Sequence, residues 1–503
     1  MNPDNIAFTD LTDALEDAHA ARDALYRDRI DSYYPAFHLA APAGWINDPN
    51  GLCHFHGRTH VYYQHNPYET VWGPMHWGHL SSEDLITWRH EPIALAPSIE
   101  ADRDGCWSGS AVTGDDGLLY VFYTGYRRLT DHDHENGDMR RHHEVQCLAT
   151  SEDGIRFEKR GVVVDNPAKL ANFRDPKVFR KGDSWYMVLG QESEDHRGQI
   201  RLFESADLLT WTDDGVIYEC PEPGVFMLEC PDLFEIDGKW VLVFSAMGLT
   251  PVGYKNRARD MVGYVVGTWQ AGSPFEALTG FTPLDLGHNY YAPQSFVAQD
   301  GRRLQFGWMR PPFDLAPEQR HQWCGQMTVP RQLSLTDDNR LTQAPISEID
   351  ALFESVGHGS DVTLGANEKI KLGDNVSCCR VRITLDRTAN TSERVGLLIG
   401  CSHLARPLFV GYDDLTGWVV CDRAGAITGA RGHRGVPVSG DTLALEVLVD
   451  HSCVEVYVNG GLATFTELFY PAVNESKSLL LASECGVTHI TELEVSQLVR
   501  SIW

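Results

Sequence analysis

The 503-residue sequence has no apolar run approaching the 18 or more residues that a helix needs to cross a bilayer, so no membrane-spanning helix is expected. Its first stretch, MNPDNIAFTDLTDALEDAHAARDALY, has no basic segment followed by an apolar core, and no secretory leader is read there. The twelve cysteines include no CxxC pair, and the adjacent Cys378 and Cys379 cannot readily bond each other. A disulfide framework is therefore not expected, and reduced thiols in a cytoplasmic protein are. Cationic residues are scarce, with 42 Lys and Arg against 70 Asp and Glu and a net charge of −28. Such a field repels nucleic acid and anionic membranes and suits a neutral or cationic small substrate better than a phosphorylated polymer, unless a local basic pocket overrules it. GHGSDVTLG and AGAITGARGHRG lack a strand–GxGxxG–helix setting, so no nucleotide site is read. The histidine-rich 131–143 stretch, DHDHENGDMRRHH, lacks the two-plus-two spacing of structural zinc and is expected as a solvated loop near a rim, with neither metal nor organic cofactor.

With 43% hydrophobic and 10% aromatic residues, the chain has the material for a core, and its length allows two or three domains. Leu11, Ala14, Leu15, Ala18 and Leu25 fall at helical spacing behind a cap at Thr9 or Asp10, predicting a short amphipathic N-terminal helix. Five later segments share one layout: polar head, apolar strand, Gly turn, aromatic strand. They begin at Asn47, Trp107, Arg174, Glu229 and Ala292, and their turn glycines, Gly57, Gly117, Gly182, Gly238 and Gly301, recur every 56–65 residues. Between them SSEDLITW, TSEDGIRF and ESADLLTW form a second repeated element. About four strands per period is the content of one propeller blade. The predicted fold is all-β: a five-bladed β-propeller, then an antiparallel β-sandwich suggested by the alternating strands from VRITLDR to LEVSQLV. The expected boundaries are 1–36 for the extension, 37–339 for the propeller, 340–356 for a helical or irregular linker and 357–503 for the sandwich. The sandwich is expected to brace the propeller and is compatible with a homodimer; Asp450 and Glu455 there are read as structural.

In a propeller the first strand of each blade lies nearest the axis, so the polar heads, with Asp48, Ser108, Asp175, Glu229 and Gln294, converge at one mouth. Like charges gathered there split pKa values and serve acid–base chemistry. Two carboxyl groups, one ionised and one protonated, are the equipment for glycoside hydrolysis.

WINDPNG, FRDPKV and ECPDLF, in this order and spacing, resemble the three signature motifs of glycoside hydrolase family 32, the invertases and β-fructofuranosidases. The resemblance implies a retaining hydrolase of sucrose and short fructo-oligosaccharides. Asp48 would be the nucleophile and Glu229 the acid and then base. Asp175, kept ionised by Arg174 beside it, would stabilise the transition state, while like-charged neighbours would raise the pKa of Glu229. It further implies that Asn47, Gln64, Trp72, Trp107, Ser108, Arg174, Tyr291 and Trp308 line the fructose pocket. Longer inulin or levan chains, fructosyl transfer, and a sugar-binding propeller without catalysis are the alternatives; a sucrose-phosphate hydrolase is disfavoured by the acidic balance unless a local cation cluster revives it.

Overall fold

A computed structural model describes residues 11–130, 141–252, 257–311, 316–374, 377–401, 407–423, 432–471 and 478–503. The five turn glycines all adopt positive φ, between 62° and 87°, closing tight hairpins that a side chain would strain. Each hairpin joins the first two strands of a separate antiparallel sheet. The inner strands are Gly44–Phe55, Gly105–Thr113, Phe173–Lys181, Met227–Ile236 and Tyr291–Val297. Each packs on the next, and the fifth returns to the first, so five blades surround one axis. Trp323–Cys324 pairs in parallel with Gly44–Trp45 and latches the ring.

The second repeated element is one turn built three times. Ser82, Ser151 and Ser205 accept the amides of Leu85, Gly154 and Leu208 through Oγ. Asp84, Asp153 and Asp207 each accept the next two amides through Oδ1. These side chains satisfy backbone groups that the outer strands leave open.

The helix Leu11–Arg27 lays Ala18 against the body, and His19 Nε2 accepts the amide of Ile93 at 2.8 Å. Its expected cap, Thr9 or Asp10, lies outside the described residues, as does 131–140 of the histidine-rich stretch. No described helix is long and apolar enough to cross a membrane. Two six-stranded sheets form the C-terminal sandwich around a core of Val, Leu and Ile. The 340–356 segment departs from the expected linker. Leu341–Pro345 pairs with Arg331–Leu335 as the last strand of blade five, Ser347–Leu352 is a 3₁₀ turn, and Phe353–Leu364 already belongs to the sandwich. Alternate burial of Leu341 and Gln343 explains the strand; the helical signals of PISEIDAL cover only the turn.

Asp450 and Glu455 sit buried on the seam between the two units. His38 bridges them, Nδ1 to Asp450 Oδ2 at 2.8 Å and Nε2 to Glu455 Oε1 at 2.9 Å, while Arg331 reaches Glu455 and, at 3.1 Å, Asp285. Burial opposes the His38 cation, but Cys453, Asp450 and Glu455 outweigh it and hold the imidazolium well above its ordinary value. Burial likewise opposes the Glu455 carboxylate, yet Arg331 and His38 hold it down at about 2. A raised histidine contributes fully below its unfolded value of 6.5 and loses that contribution as pH rises through its folded value. His38→Gln should therefore cost about 3–5 kcal/mol, because a buried carboxylate pair loses its cation. The deficit in thermal unfolding should be greatest near pH 5–6.5 and narrow towards alkaline pH; a pH-independent deficit would contradict the charged bridge.

Candidate active site

Every inner strand is irregular at its polar head: pairing with the second strand slips at Ile46–Pro49, Cys106–Gly109, Arg174–Lys177, Glu229–Asp232 and Tyr291–Gln294. A bulge re-aims side chains out of the strict in–out alternation. Four of the five slips carry an X-Pro pair: Asp48-Pro49, Asp175-Pro176, Cys230-Pro231 and Ala292-Pro293. Asp175, Cys230 and Ala292 adopt φ of 67°, 48° and 48°, conformations that only surrounding packing maintains in non-glycine residues.

The bulges create two tiers. Asp48, Ser108, Asp175, Cys230 and Ala292 occupy equivalent positions at the floor. Asn47, Trp107, Arg174, Glu229 and Tyr291, each one residue earlier, form the wall above. The cavity at this mouth measures about 310 Å³, and of these ten residues all but Cys230 and Ala292 line it. All eleven residues expected from the sequence line it: Asn47, Asp48, Gln64, Trp72, Trp107, Ser108, Arg174, Asp175, Glu229, Tyr291 and Trp308. Gln294, expected among the converging heads, does not: it is buried further down the axis, 1% exposed.

At the floor, Ser108 Oγ donates to Asp48 Oδ2 at 2.6 Å, Asn47 Nδ2 to Oδ1 at 3.2 Å, and the Cys230 thiol to Oδ2 at 3.4 Å. The same thiol lies 3.6 Å from Asp175 Oδ2, which also accepts the Cys230 amide at 2.9 Å. Burial, more than these donors can offset, raises the Asp48 carboxyl above its ordinary value, and the Glu229 charge adds to the rise. On the wall, Glu229 Oε1 accepts from Arg174 Nη2 at 2.8 Å and its Oε2 from Tyr291 Oη at 2.6 Å. Trp107 and Trp308 each bury an indole N–H with no partner among the described residues. Trp72, 42% exposed, stands edge-on to Trp107 at the rim.

Arg174 does not serve Asp175 as expected. Its guanidinium turns away to Glu229 and to the buried Glu144, at 3.2 Å. Burial, with the Glu229 and Asp48 charges, outweighs the attraction of Arg174 and pushes Asp175 up to about 7. A carboxyl raised in the folded state stays protonated where the unfolded chain has ionised, so stability falls as pH climbs from about 4 to about 7. Asp175→Asn should remove that penalty: its unfolding temperature should exceed the parent's at pH 8 and match it at pH 4. Equal stability at both values would mean that Asp175 ionises freely.

Met247, Asp260 and Arg310 also line the cavity without having been anticipated. Arg310 follows the repeated aromatic strand LQFGWM, and its counterpart in blade four is Met247, so that register was the available signal; Asp260 lies in no repeated element.

Buried carboxyls on a propeller floor, faced by a glutamate on the wall and framed by aromatics, are the equipment of a glycosidase. Residues 38–345 match the model for the N-terminal domain of glycosyl hydrolases family 32, and residues 348–497 the model for that family's C-terminal domain. The chain belongs to glycosyl hydrolase family 32. It is 42% identical over 469 residues to a sucrose-6-phosphate hydrolase of Escherichia coli, covering 92% of this chain and 96% of that one. A raffinose invertase of E. coli is 39% identical over 476 residues, covering 94% and 97%. Among solved structures, a β-fructofuranosidase of Bombyx mori superposes with a TM-score of 0.83 at 30% identity, covering 97% and 98%.

Proposed function

We propose that the protein is a retaining β-fructofuranosidase that hydrolyses sucrose and short fructo-oligosaccharides. The observation that carries this reading is the two-tier cavity: a hydrogen-bonded Asp48 on the floor, Glu229 on the wall, and Asp175 beside both. Asp48 attacks the anomeric carbon of the fructosyl unit and the glycosidic bond breaks to the leaving sugar, whose oxygen receives a proton from Glu229. Glu229 then takes a proton from water, which displaces Asp48 and releases fructose. Ser108, Asn47 and the Cys230 thiol orient Asp48, whose negative charge passes into the bond being formed. Asp175 binds ring hydroxyls where the oxocarbenium-like transition state develops, and Arg174 and Tyr291 hold Glu229 towards the leaving oxygen. Gln64, Trp72, Trp107 and Trp308 shape the fructosyl site. A second sugar can replace water as acceptor, giving fructosyl transfer from the same intermediate. Twelve unbonded cysteines support a reducing, cytoplasmic setting.

The test is the stereochemistry of transfer. With sucrose and methanol, the expected product by NMR is methyl β-D-fructofuranoside; the α anomer would overturn the retaining assignment. Sucrose, 1-kestose, inulin and levan assayed side by side separate short from long substrates.

A further inference from the structure

The sandwich sheet that holds Trp418 carries a trough on its outer face. In the strands Arg394–Cys401, Leu408–Asp413 and Trp418–Asp422, the residues Val395, Leu397, Val410, Tyr412, Val419 and Cys421 turn into the sandwich core. Their alternate neighbours therefore face outward. Together with His433–Pro437, strand register sets these neighbours in rows across the face. The middle row, Gly396, Gly411, Val420 and Gly435, is nearly bare of side chains. One flanking row holds Arg394, Asp413 and Trp418, the other Phe409, Asp422 and His433. Between the rows lies a cavity of about 440 Å³. Glycine gives two rings room to lean over the bare row: a Cβ on Gly435 would stand 3.0 Å from Trp418 Cε3, and one on Gly411 2.8 Å from Phe409 Cζ. The Arg394 guanidinium caps Phe409, 4.1 Å from its ring centre, whereas Trp418 stays partly exposed.

The charged groups of the trough attract one another without meeting. Arg394 lies between two carboxylates, its Nε 3.9 Å from Asp413 Oδ2 and its Nη2 3.7 Å from Asp422 Oδ2, both beyond hydrogen-bond reach. Its Nε is buried with no hydrogen-bond partner among the described residues. A hydroxyl suits such gaps, because it accepts from a guanidinium and donates to a carboxylate at once. Two carboxylates repel an anion, and the guanidinium set between them repels a cation. The ligand that fits is therefore neutral and rich in hydroxyls, and an apolar ring face on it can lie against Trp418. Thr416 and His433 add polar groups at the two ends. We propose that this face of the sandwich is a second, non-catalytic binding site for a neutral sugar ring, which holds an oligosaccharide on the protein apart from the cavity that cleaves it. None of these residues lines the catalytic cavity, so the site stands or falls separately from the β-fructofuranosidase reading.

Hydrogen exchange of the full-length Asp48→Asn chain reads the two sites separately. Added 1-kestose should slow exchange in 409–422 at the trough, and independently in 45–50 and 105–110 at the catalytic mouth. Adding Trp418→Ala should raise the 1-kestose concentration for half-protection of the trough about 10-fold and leave that of the catalytic mouth unchanged. Asp422→Asn, which keeps the side-chain shape, should weaken the trough in the same sense. With Asp48 intact, Trp418→Ala should leave kcat/KM on sucrose unchanged. Maltotriose in place of 1-kestose shows which ring is read: protection of the trough by both sugars marks a general sugar-ring site, and protection by 1-kestose alone a fructosyl site. Protection at the catalytic mouth with none at the trough from either sugar would overturn the second site and leave the β-fructofuranosidase reading standing. Trough protection that neither Trp418→Ala nor Asp422→Asn weakens would overturn it as well. If Trp418→Ala fails to fold, Asp422→Asn and the otherwise unaltered Asp48→Asn chain decide.

Discussion

Asp48→Asn should fold normally and lose about 10⁴-fold or more in kcat on sucrose. Asparagine fills the same space and can still accept from Ser108, so the floor keeps its shape, but its amide cannot form the fructosyl ester. No neighbour stands in for it. Asp175 is tied to the Cys230 amide and raised to about 7, and Glu229 is pinned on the wall by Arg174 and Tyr291. Stability should hold or increase, because burial and the Glu229 charge oppose the ionised Asp48 in the folded state. Steady-state assay and thermal unfolding of the same preparation check both halves. More than a tenth of parental turnover in a folded variant would remove Asp48 from the nucleophile's position.

The second large effect is selective. Glu229→Gln should lower kcat on sucrose by about 10²–10⁴-fold while sparing the first-turnover burst of fluoride from β-fructosyl fluoride, whose leaving group needs no proton; later turnovers still need Glu229 as the base for water. Glutamine still offers Oε1 to Arg174, so the wall should stay in place and the difference between substrates should report proton transfer alone. An equal loss in the fluoride burst would mean that Glu229 shapes the pocket without protonating the leaving oxygen.

Much of this site was legible along the chain because its determinants are local. The Gly turns require positive φ, the Ser-x-Asp turns satisfy their own amides, and the repeated X-Pro heads mark where each inner strand slips. Once those repeats are aligned, the heads must meet at one mouth. The direction of a long side chain is a different matter. Arg174 adjoins Asp175 in sequence, yet in a bulged strand the two point to different tiers. Guanidinium and carboxyl therefore part company, and burial governs Asp175 instead of its neighbour's charge. The 340–356 segment shows the same limit: a five-residue strand with two inward positions is too short to stand out until a sheet edge is there to receive it.

From the sequence alone come the all-β architecture, the five-fold repeat and the convergence of three carboxyls, which follow from residue spacing within a blade, while the aromatic frame was implied by the resemblance to a family. Only the tertiary structure decided which charges meet. His38 joins Asp450 and Glu455 from more than 400 positions away, and Arg259 and Arg310 join Arg423 and Arg434 across the seam between propeller and sandwich. A net charge of −28 sums the chain without regard to place. Coulomb forces fall with distance and are screened by water, so what a ligand meets is set by the few groups that folding brings to its side.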